Sequence, residues 1–294
     1  MHKIPEVAII FLSQFSHSIP FFCKGGESSV LGCSITSVQE HRGSMIIQFT
    51  EAELQNLTIQ PVERPQSSAL YLEERECSWE AQMAQVLARN GHMWNGEIYT
   101  WENILIPVEN RVIIRVGTCE YKDVVFRFLR GREYVSERYG DEALVRIMGV
   151  NVMPITSDGE FVFGQRADRP EQGAPVGGIG GTLNKDEIEI HTFADVRRHA
   201  FTELQEETAL PVVLEDLRFF GLYAAGYTYN FWFVVRLAID SSEIYHYHRP
   251  GEFSRLLAFS EQEARDYTLP TTPMFKRWLP YLHLLPGFMD GASF

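Results

Sequence analysis

Residues 192–208, TFADVRRHAFTELQEET, constrain the fold more than any other stretch of this chain. Phe193, Val196, Ala200 and Leu204 recur at steps of three and four, the spacing that lines apolar side chains along one face of a helix. Such a stripe has to be buried against a sheet or another helix. The other face carries Glu203, Glu206 and Glu207, three like charges within five residues. Carboxylates three or four apart on a helix repel by about 0.2–0.5 kcal/mol per pair. Either that face is simply wet, or a positive charge sits on it.

The segments around this helix have an α+β order. VNVMPITSDGEFVFGQRA reads as two strands turning at Asp158-Gly159, a strong hairpin signal. A Gly/Pro-rich loop, EQGAPVGGIGGTLNKDE, leads into the helix. LRFFGLYAAG and YNFWFVVRLAI follow as strands. SEQEARDYT opens on a serine N-cap signal, and TTPMFKRWLPYLHLL predicts a last helix interrupted or ended at Pro280. This order predicts a mixed sheet covered by helices.

The first half is also mixed. EVAIIFLSQF, SMIIQFT and NRVIIRVGT read as strands, and YKDVVFRFLRG as a short helix. ERECSWEAQMAQVLARN predicts a helix with Trp79, Met83, Val86 and Leu87 on its apolar face, stopped at Asn90-Gly91. GDEALVRIMG, bracketed by glycines, marks a boundary. The expected organisation is an N-terminal α/β domain over 1–142 and a second domain over 143–294, and 294 residues suffice for both.

Charge and composition exclude several functions. With 45% hydrophobic and 22% charged residues the chain has the composition of a soluble globular protein. A net charge of −13 argues against a broad electrostatic grip on nucleic acid. An anionic small substrate would need local cations, either metal ions or a few arginines. VAIIFL near the N-terminus follows Glu6 and lacks a basic flank, so it reads as a buried strand rather than a signal. No apolar run is long enough to span a bilayer. Cys23, Cys33, Cys77 and Cys119 form no close pair and no metal-ligand spacing, which fits a reduced, cytoplasmic setting.

Carboxylate oxygens are the ligands that hard cations such as Mg²⁺, or the similar Mn²⁺, take. Three of them on one rigid turn can share one or two ions. Just upstream, PVGGIGG lets backbone approach a ligand closely. Together these residues resemble the Nudix hydrolase family, whose signature is G-x5-E-x7-R-E-U-x-E-E-x-G-U, with U aliphatic. TELQEETAL matches at Glu203, Leu204, Glu206, Glu207 and Leu210, with Thr202 in place of the arginine and Ala209 in place of the glycine. Gly177-Gly178 stands where the signature opens. The resemblance covers 143–294, including the FVFGQRA strand.

The chain departs from that signature in its spacing. Gly178 to Thr202 is 24 positions where the signature has 14, an insertion of ten residues. Counted back from the helix, the first signature glutamate falls on Ala194. Glu187 and Glu189, inside the insertion, are the candidates to replace it. In the N-terminal half, Trp79, NGHMWNGEIY (90–99) and VGTCEYKD (116–123) resemble a two-domain Nudix subgroup that includes human and plant UDP-sugar pyrophosphatases.

The resemblance implies a Nudix fold, a mixed sheet sandwiched by helices, with an extra N-terminal domain. It implies metal-dependent hydrolysis of a nucleoside diphosphate linked to another group, foremost a nucleotide sugar. Glu203, Glu206 and Glu207 would be catalytic and hold Mg²⁺ or Mn²⁺ with the Gly178 carbonyl. Arg166, Gly177 and Gly178 would bind the substrate. The alternative is a Nudix domain without turnover that binds a nucleotide or a partner. The expected partner is a small nucleotide, with no nucleic acid and no membrane, and a homodimer is the assembly left open.

Other residues carry weaker signals. His199 lies one turn before Glu203 on the same face, within reach of a metal-bound water, although a partly exposed helix histidine is the plainer reading. His246 and His248 sit at strand spacing but lack further ligands, which favours a structural role over zinc. Trp94, Tyr121, Tyr227 and Tyr229 are aromatics that stack on a base in some sites and fill cores in most.

Overall fold

The computed structural model describes residues 8–10, 37–41, 44–88, 91, 93–106, 112–167 and 174–291. The strands among them are β1 Ala8–Ile10, β2 Ser37–His41, β3 Ser44–Gln48, β4 Thr58–Pro61, β5 Glu97–Ile106, β6 Ile113–Glu120, β7 Ile147–Ile155, β8 Phe161–Arg166, β9 Val176–Gly177, β10 Arg218–Ala225, β11 Thr228–Arg236 and β12 Phe253–Phe259. The helices are α1 Glu51–Gln55, α2 Ala69–Leu87, α3 Tyr121–Arg130, α4 Arg132–Tyr139, α5 Phe193–Glu207, α6 Glu261–Asp266, α7 Pro273–Trp278 and α8 Leu285–Met289. Cys23, Cys33, Asn90 and most of EVAIIFLSQF lie outside the described residues.

The strands form one mixed, branched sheet, with helices on both faces. Its main path runs β2-β3-β10-β11-β7-β5-β6-β4, and β8 joins β7 while pairing with β12 and β9. The central pair, β11 and β7, is parallel from Thr228↔Ile147 to Arg236↔Ile155. Strands from both sides of residue 142 meet in this sheet. β3 pairs with β10 through Ile47↔Leu222, and β5 meets β7 at Thr100↔Ile147.

Strand alternation separates two cores. Along β11, Phe231, Phe233 and Val235 point to the face covered by α5, where they join Val196, Ala200 and Leu204. Trp232 and Val234 point the other way, among Phe275, Trp278, Tyr281 and Leu285 from the C-terminal helices. A strand buried on both sides reads as a continuous apolar run, as YNFWFVVRLAI does. Each fully buried side chain of this size contributes about 1.5–3 kcal/mol. The Trp232 and Trp278 rings stack 3.8 Å apart, which pins α7 to the sheet. Smaller clusters, Tyr71, Phe126, Val135 and Leu144, hold α2–α4 together.

Local signals explain the elements around the site. The β7–β8 hairpin turns at Gly159, whose φ of +92° costs a glycine little. Asp158 beside it accepts hydrogen bonds from the Ser241 N–H and hydroxyl at 3.0 and 2.6 Å. Helix α5 starts at a capping box in which Asp195 Oδ2 takes the Thr192 N–H and hydroxyl.

Two expectations shift. Helix α2 begins at Ala69, capped by Ser68, five residues before the expected segment, which starts at Glu74. Of its expected stripe, Trp79, Met83 and Val86 are half-buried and Leu87 is exposed. His246 lies in a 3₁₀ turn, Ser241–Tyr247, and His248 caps its end, so the two do not share a strand face. Among the described residues, no helix is long and apolar enough to cross a membrane.

Candidate functional site

The glycine loop lies along the free edge of β7. Val152 N–H bonds Ile179 O at 3.0 Å, Val150 N–H bonds Gly181 O at 2.9 Å, and Leu183 N–H bonds Met148 O at 3.0 Å. Beyond Gly181 the loop crosses to β5, where Tyr99 N–H bonds Leu183 O at 2.9 Å. It thus fills the gap between β7 and β5. Helix α5 packs over this part of the sheet through its apolar stripe, so its charged face meets the loop.

Two glycines press directly on two glutamates. Gly180 N–H donates to Glu207 Oε2 at 2.8 Å. A methyl group at Gly181 would lie 2.3 Å from Glu203 Oε1, and one at Gly180, where φ is +135°, would lie 2.2 Å from Val150 O. Gly177 and Gly178, three residues earlier, turn toward α7 instead. Added methyls there would meet Thr272 at 3.1 Å and Met274 at 2.7 Å. Contact with the glutamates therefore falls to the second Gly-Gly pair of GGIGG.

The three glutamates have different surroundings. Glu207 is 5% exposed. Its burial, then the charge of Glu252, pushes its carboxyl well above the usual carboxylate range. The nearby Glu203 adds to this, and the Gly180 N–H partly opposes it. Glu203 is half-buried. Glu206 is exposed and, with Thr202, Arg198 and His199, walls a cleft of about 630 Å³ closed on its other side by Glu187–Glu189.

Arg166 stands at the end of β8 and is ion-paired with Glu252, whose charge acts on Glu207. Arg166 is therefore coupled to the glutamate cluster through Glu252. Glu252 precedes β12, 45 residues from Glu207, and arrives only because β12 pairs with β8 through Phe253↔Arg166. No local pattern marks it.

His199 is buried at 4% exposure, with Nε2 3.2 Å from Glu203 Oε1. Nε2 makes no hydrogen bond. Burial opposes the imidazolium, but Glu203 outweighs it, helped by the Thr182 main chain and Glu187, and the imidazole pKa is raised. Glu187, His199 and Glu203 each offer an atom within 4.8 Å of the others.

The inserted residues are held by the N-terminal half. Lys185 N–H bonds Glu97 O at 2.8 Å, and Lys185 Nζ pairs with Glu97 Oε2 at 2.9 Å. The Tyr99 hydroxyl donates to Ile188 O and accepts from Ile190 N–H, both at 3.3 Å. Ile59 N–H bonds His191 O at 2.9 Å. A second cavity, of about 600 Å³, is lined by Asn95–Glu97, Thr118–Glu120 and Asp186 of the insertion. The WNGEIY and GTCEYKD segments thus share one wall and touch the loop that carries Glu187. Trp94 and Tyr121 pack together there at 5.9 Å, whereas Tyr229 stacks on Trp101 in the core and Tyr227 lies under Arg127 and Arg132.

The site can therefore gather negative charge around a backbone turn. Glu203, Glu207 and Glu252 converge beside Gly180-Gly181. Buried carboxylates are tolerated when they are protonated, paired or bound to a cation. The donor set, all carboxylate with main-chain oxygens nearby, fits a hard divalent cation.

No family model and no curated protein matches the chain. Similar solved structures include Nudix proteins. The NUDIX domain of Shewanella oneidensis NrtR, solved with ADP ribose, is 12% identical, with a TM-score of 0.37 over 53% of this chain and 99% of that one. The Nudix hydrolase RenU from M. smegmatis is 17% identical, with a TM-score of 0.33 over 48% of this chain and 85% of that one. The MutT protein of Methanosarcina mazei is 16% identical, with a TM-score of 0.32 over 48% and 94%. Likeness at this level concerns about half of the chain and assigns no chemistry to it; the site stands on its own residues.

Proposed function

We propose that the chain is a metal-dependent hydrolase of a diphosphate linkage in a nucleoside diphosphate derivative, foremost a nucleotide sugar. Water would attack one phosphorus of the P–O–P bridge, giving a nucleoside monophosphate and a sugar phosphate. The observation that carries this reading is the buried Glu207, held by the Gly180 N–H beside Glu203 and Glu252. A cation bound there, Mg²⁺ or Mn²⁺, would neutralise diphosphate charge and lower the pKa of a bound water.

The chain's own residues do the rest. Glu203 and Glu207 hold the cation, and Glu206, exposed on the same turn, is placed to reach it from the cleft. Gly180-Gly181 brings the main chain against Glu203 and Glu207, and the nearby Gly177-Gly178 shapes the same loop that would face the substrate. Arg166 fixes Glu252 through their ion pair and faces the carboxylates rather than open solvent. The base-recognition wall is assigned to the N-terminal region, 1–142, and the chemistry to 143–294, in the cytoplasm.

The test is a panel of nucleotide sugars, dinucleotides and nucleoside triphosphates with Mg²⁺, read by chromatography of the monophosphate released. Glu207→Gln should lower turnover by at least about a hundredfold, the scale of losing one key electrostatic group. Metal-independent or absent release across the panel, with nucleotide binding intact, would favour the non-catalytic binding module.

A further inference from the structure

Between the inserted loop and helix α5 lies a group of ligand atoms unlike an ordinary Mg²⁺ site. We infer that Glu187, His199 and Glu203 form a mixed nitrogen–oxygen site for a first-row transition-metal dication such as Mn²⁺ or Zn²⁺, selected over Mg²⁺. It rests on the hydrolase reading only in sharing Glu203.

Two observations support it. The ligand atoms lie within 4.8 Å of one another, and His199 Nε2 is 3.2 Å from Glu203 Oε1. Ligands about 2.0–2.1 Å from a tetrahedral metal sit roughly 3.3–3.4 Å apart, so little movement closes the set. His199 is 4% exposed, and its Nε2 has no hydrogen-bond partner. A buried ring nitrogen without a hydrogen bond is costly unless something else partners it.

The donor set decides the ion. Imidazole suits zinc, copper, iron and nickel, and affinity for a nitrogen–oxygen site rises from Mn²⁺ along the first row, whereas magnesium prefers an all-oxygen octahedron and keeps its waters. Three protein ligands leave positions open, the pattern of a reactive site rather than a closed structural one. Two carboxylates balance a dication. The insertion acquires a purpose: it brings Glu187 to a helix that already presents His199 and Glu203. Residues 97–99 hold the insertion in place through Lys185, Ile188 and Ile190.

The experiment loads the metal-free full chain with one equivalent of Mn²⁺ and records pulsed EPR for nitrogen modulation from a coordinated imidazole. Wild type should show it, and His199→Gln should not. Glu187→Gln, a change at an exposed side chain, should weaken Mn²⁺ binding by at least about tenfold. It should reduce the preference for Mn²⁺ over Mg²⁺ far less than His199→Gln does. No nitrogen modulation in wild type, or its persistence in His199→Gln, overturns the site. Should His199→Gln fail to fold, Glu187→Gln decides, and an unchanged Mn²⁺ affinity overturns it equally. Nitrogen modulation without hydrolysis of any nucleotide would contradict the proposed reaction and leave this site standing. Hydrolysis without modulation would do the reverse.

Discussion

Replacing Tyr99 by phenylalanine asks whether the N-terminal half builds the site. The Tyr99 ring is 4% exposed and packs in the main core, so the ring itself should stay. Only the hydroxyl is lost, and with it two hydrogen bonds to the insertion, each 3.3 Å long. Ile190 is buried, so its N–H would have no partner, whereas the Ile188 carbonyl has some access to water. An orphaned buried donor costs about 1–3 kcal/mol, and a hydrogen bond contributes about 0.5–1.5 net. Bonds of this length belong at the weaker end, so the expected loss is about 1–2 kcal/mol. In a chain of this size that lowers Tm by roughly 2–6 °C. The functional consequence is separable. Freeing the insertion should also weaken Mn²⁺ binding, since Glu187 sits in the stretch that Tyr99 ties down. Tyr71→Phe is the control, because it removes a 2.9 Å bond to Asp123 and leaves the insertion untouched. Both variants should melt lower by urea and thermal unfolding, and only Tyr99→Phe should lose Mn²⁺ affinity by calorimetry. Equal affinities in the two variants would refute the idea that residues 97–99 position Glu187.

Two further outcomes test the glutamates. In metal-free protein the folded Glu207 carboxyl has a raised pKa, so its contribution is present below the ordinary carboxylate value of about 4.3 and is lost as pH rises through the folded value. Urea unfolding in EDTA should show wild type losing stability with rising pH relative to Glu207→Gln, and parallel profiles would contradict the burial of a carboxyl beside Glu252. Gly181→Ala places a methyl 2.3 Å from the flexible end of Glu203, whereas Gly180→Ala places one 2.2 Å from the rigid Val150 carbonyl. Circular dichroism melts should therefore find Gly180→Ala the less stable by at least about 1–3 kcal/mol, with Gly181→Ala folded but weaker in metal binding; similar stabilities would mean that the loop is not seated on β7 as described.

Helix α5 was legible in the sequence because its stripe, cap and charged face repeat within fifteen residues, so local periodicity carried the whole signal. The Asp158-Gly159 hairpin was legible for the same reason. The start of α2 was hidden because Leu70 and Leu72 in its first turn are 47% and 42% exposed and add nothing to an apolar stripe. Among the site residues, Glu203 and Glu207 could be read from spacing. Glu252 could not, since it reaches Glu207 only through the β8–β12 pairing. Choosing between two Gly-Gly pairs in one loop required the φ of Gly180 and the course of the backbone along β7, neither of which a count of positions reveals. Tyr99 ends the NGEIY motif, but nothing local in the sequence shows that its hydroxyl holds the insertion.

The proposed hydrolytic centre requires a cation that relieves the crowding of Glu203, Glu206 and Glu207. The direct measurement is a melting-temperature titration of wild type and the variant with all three changed to glutamine, in EDTA and in Mg²⁺ or Mn²⁺. Ionic strength is held constant, because screening alone would ease an acidic face. In EDTA the variant should be as stable as wild type or slightly more so, since like-charge pairs cost only about 0.2–0.5 kcal/mol each. With metal at a hundredfold excess over Kd, wild type should gain about 2.7 kcal/mol, the linkage for a ligand that binds only the folded state. The variant should gain nothing. Equal metal shifts in the two proteins would mean that the glutamates form a merely solvated face, and the proposed hydrolytic centre would lose its foundation.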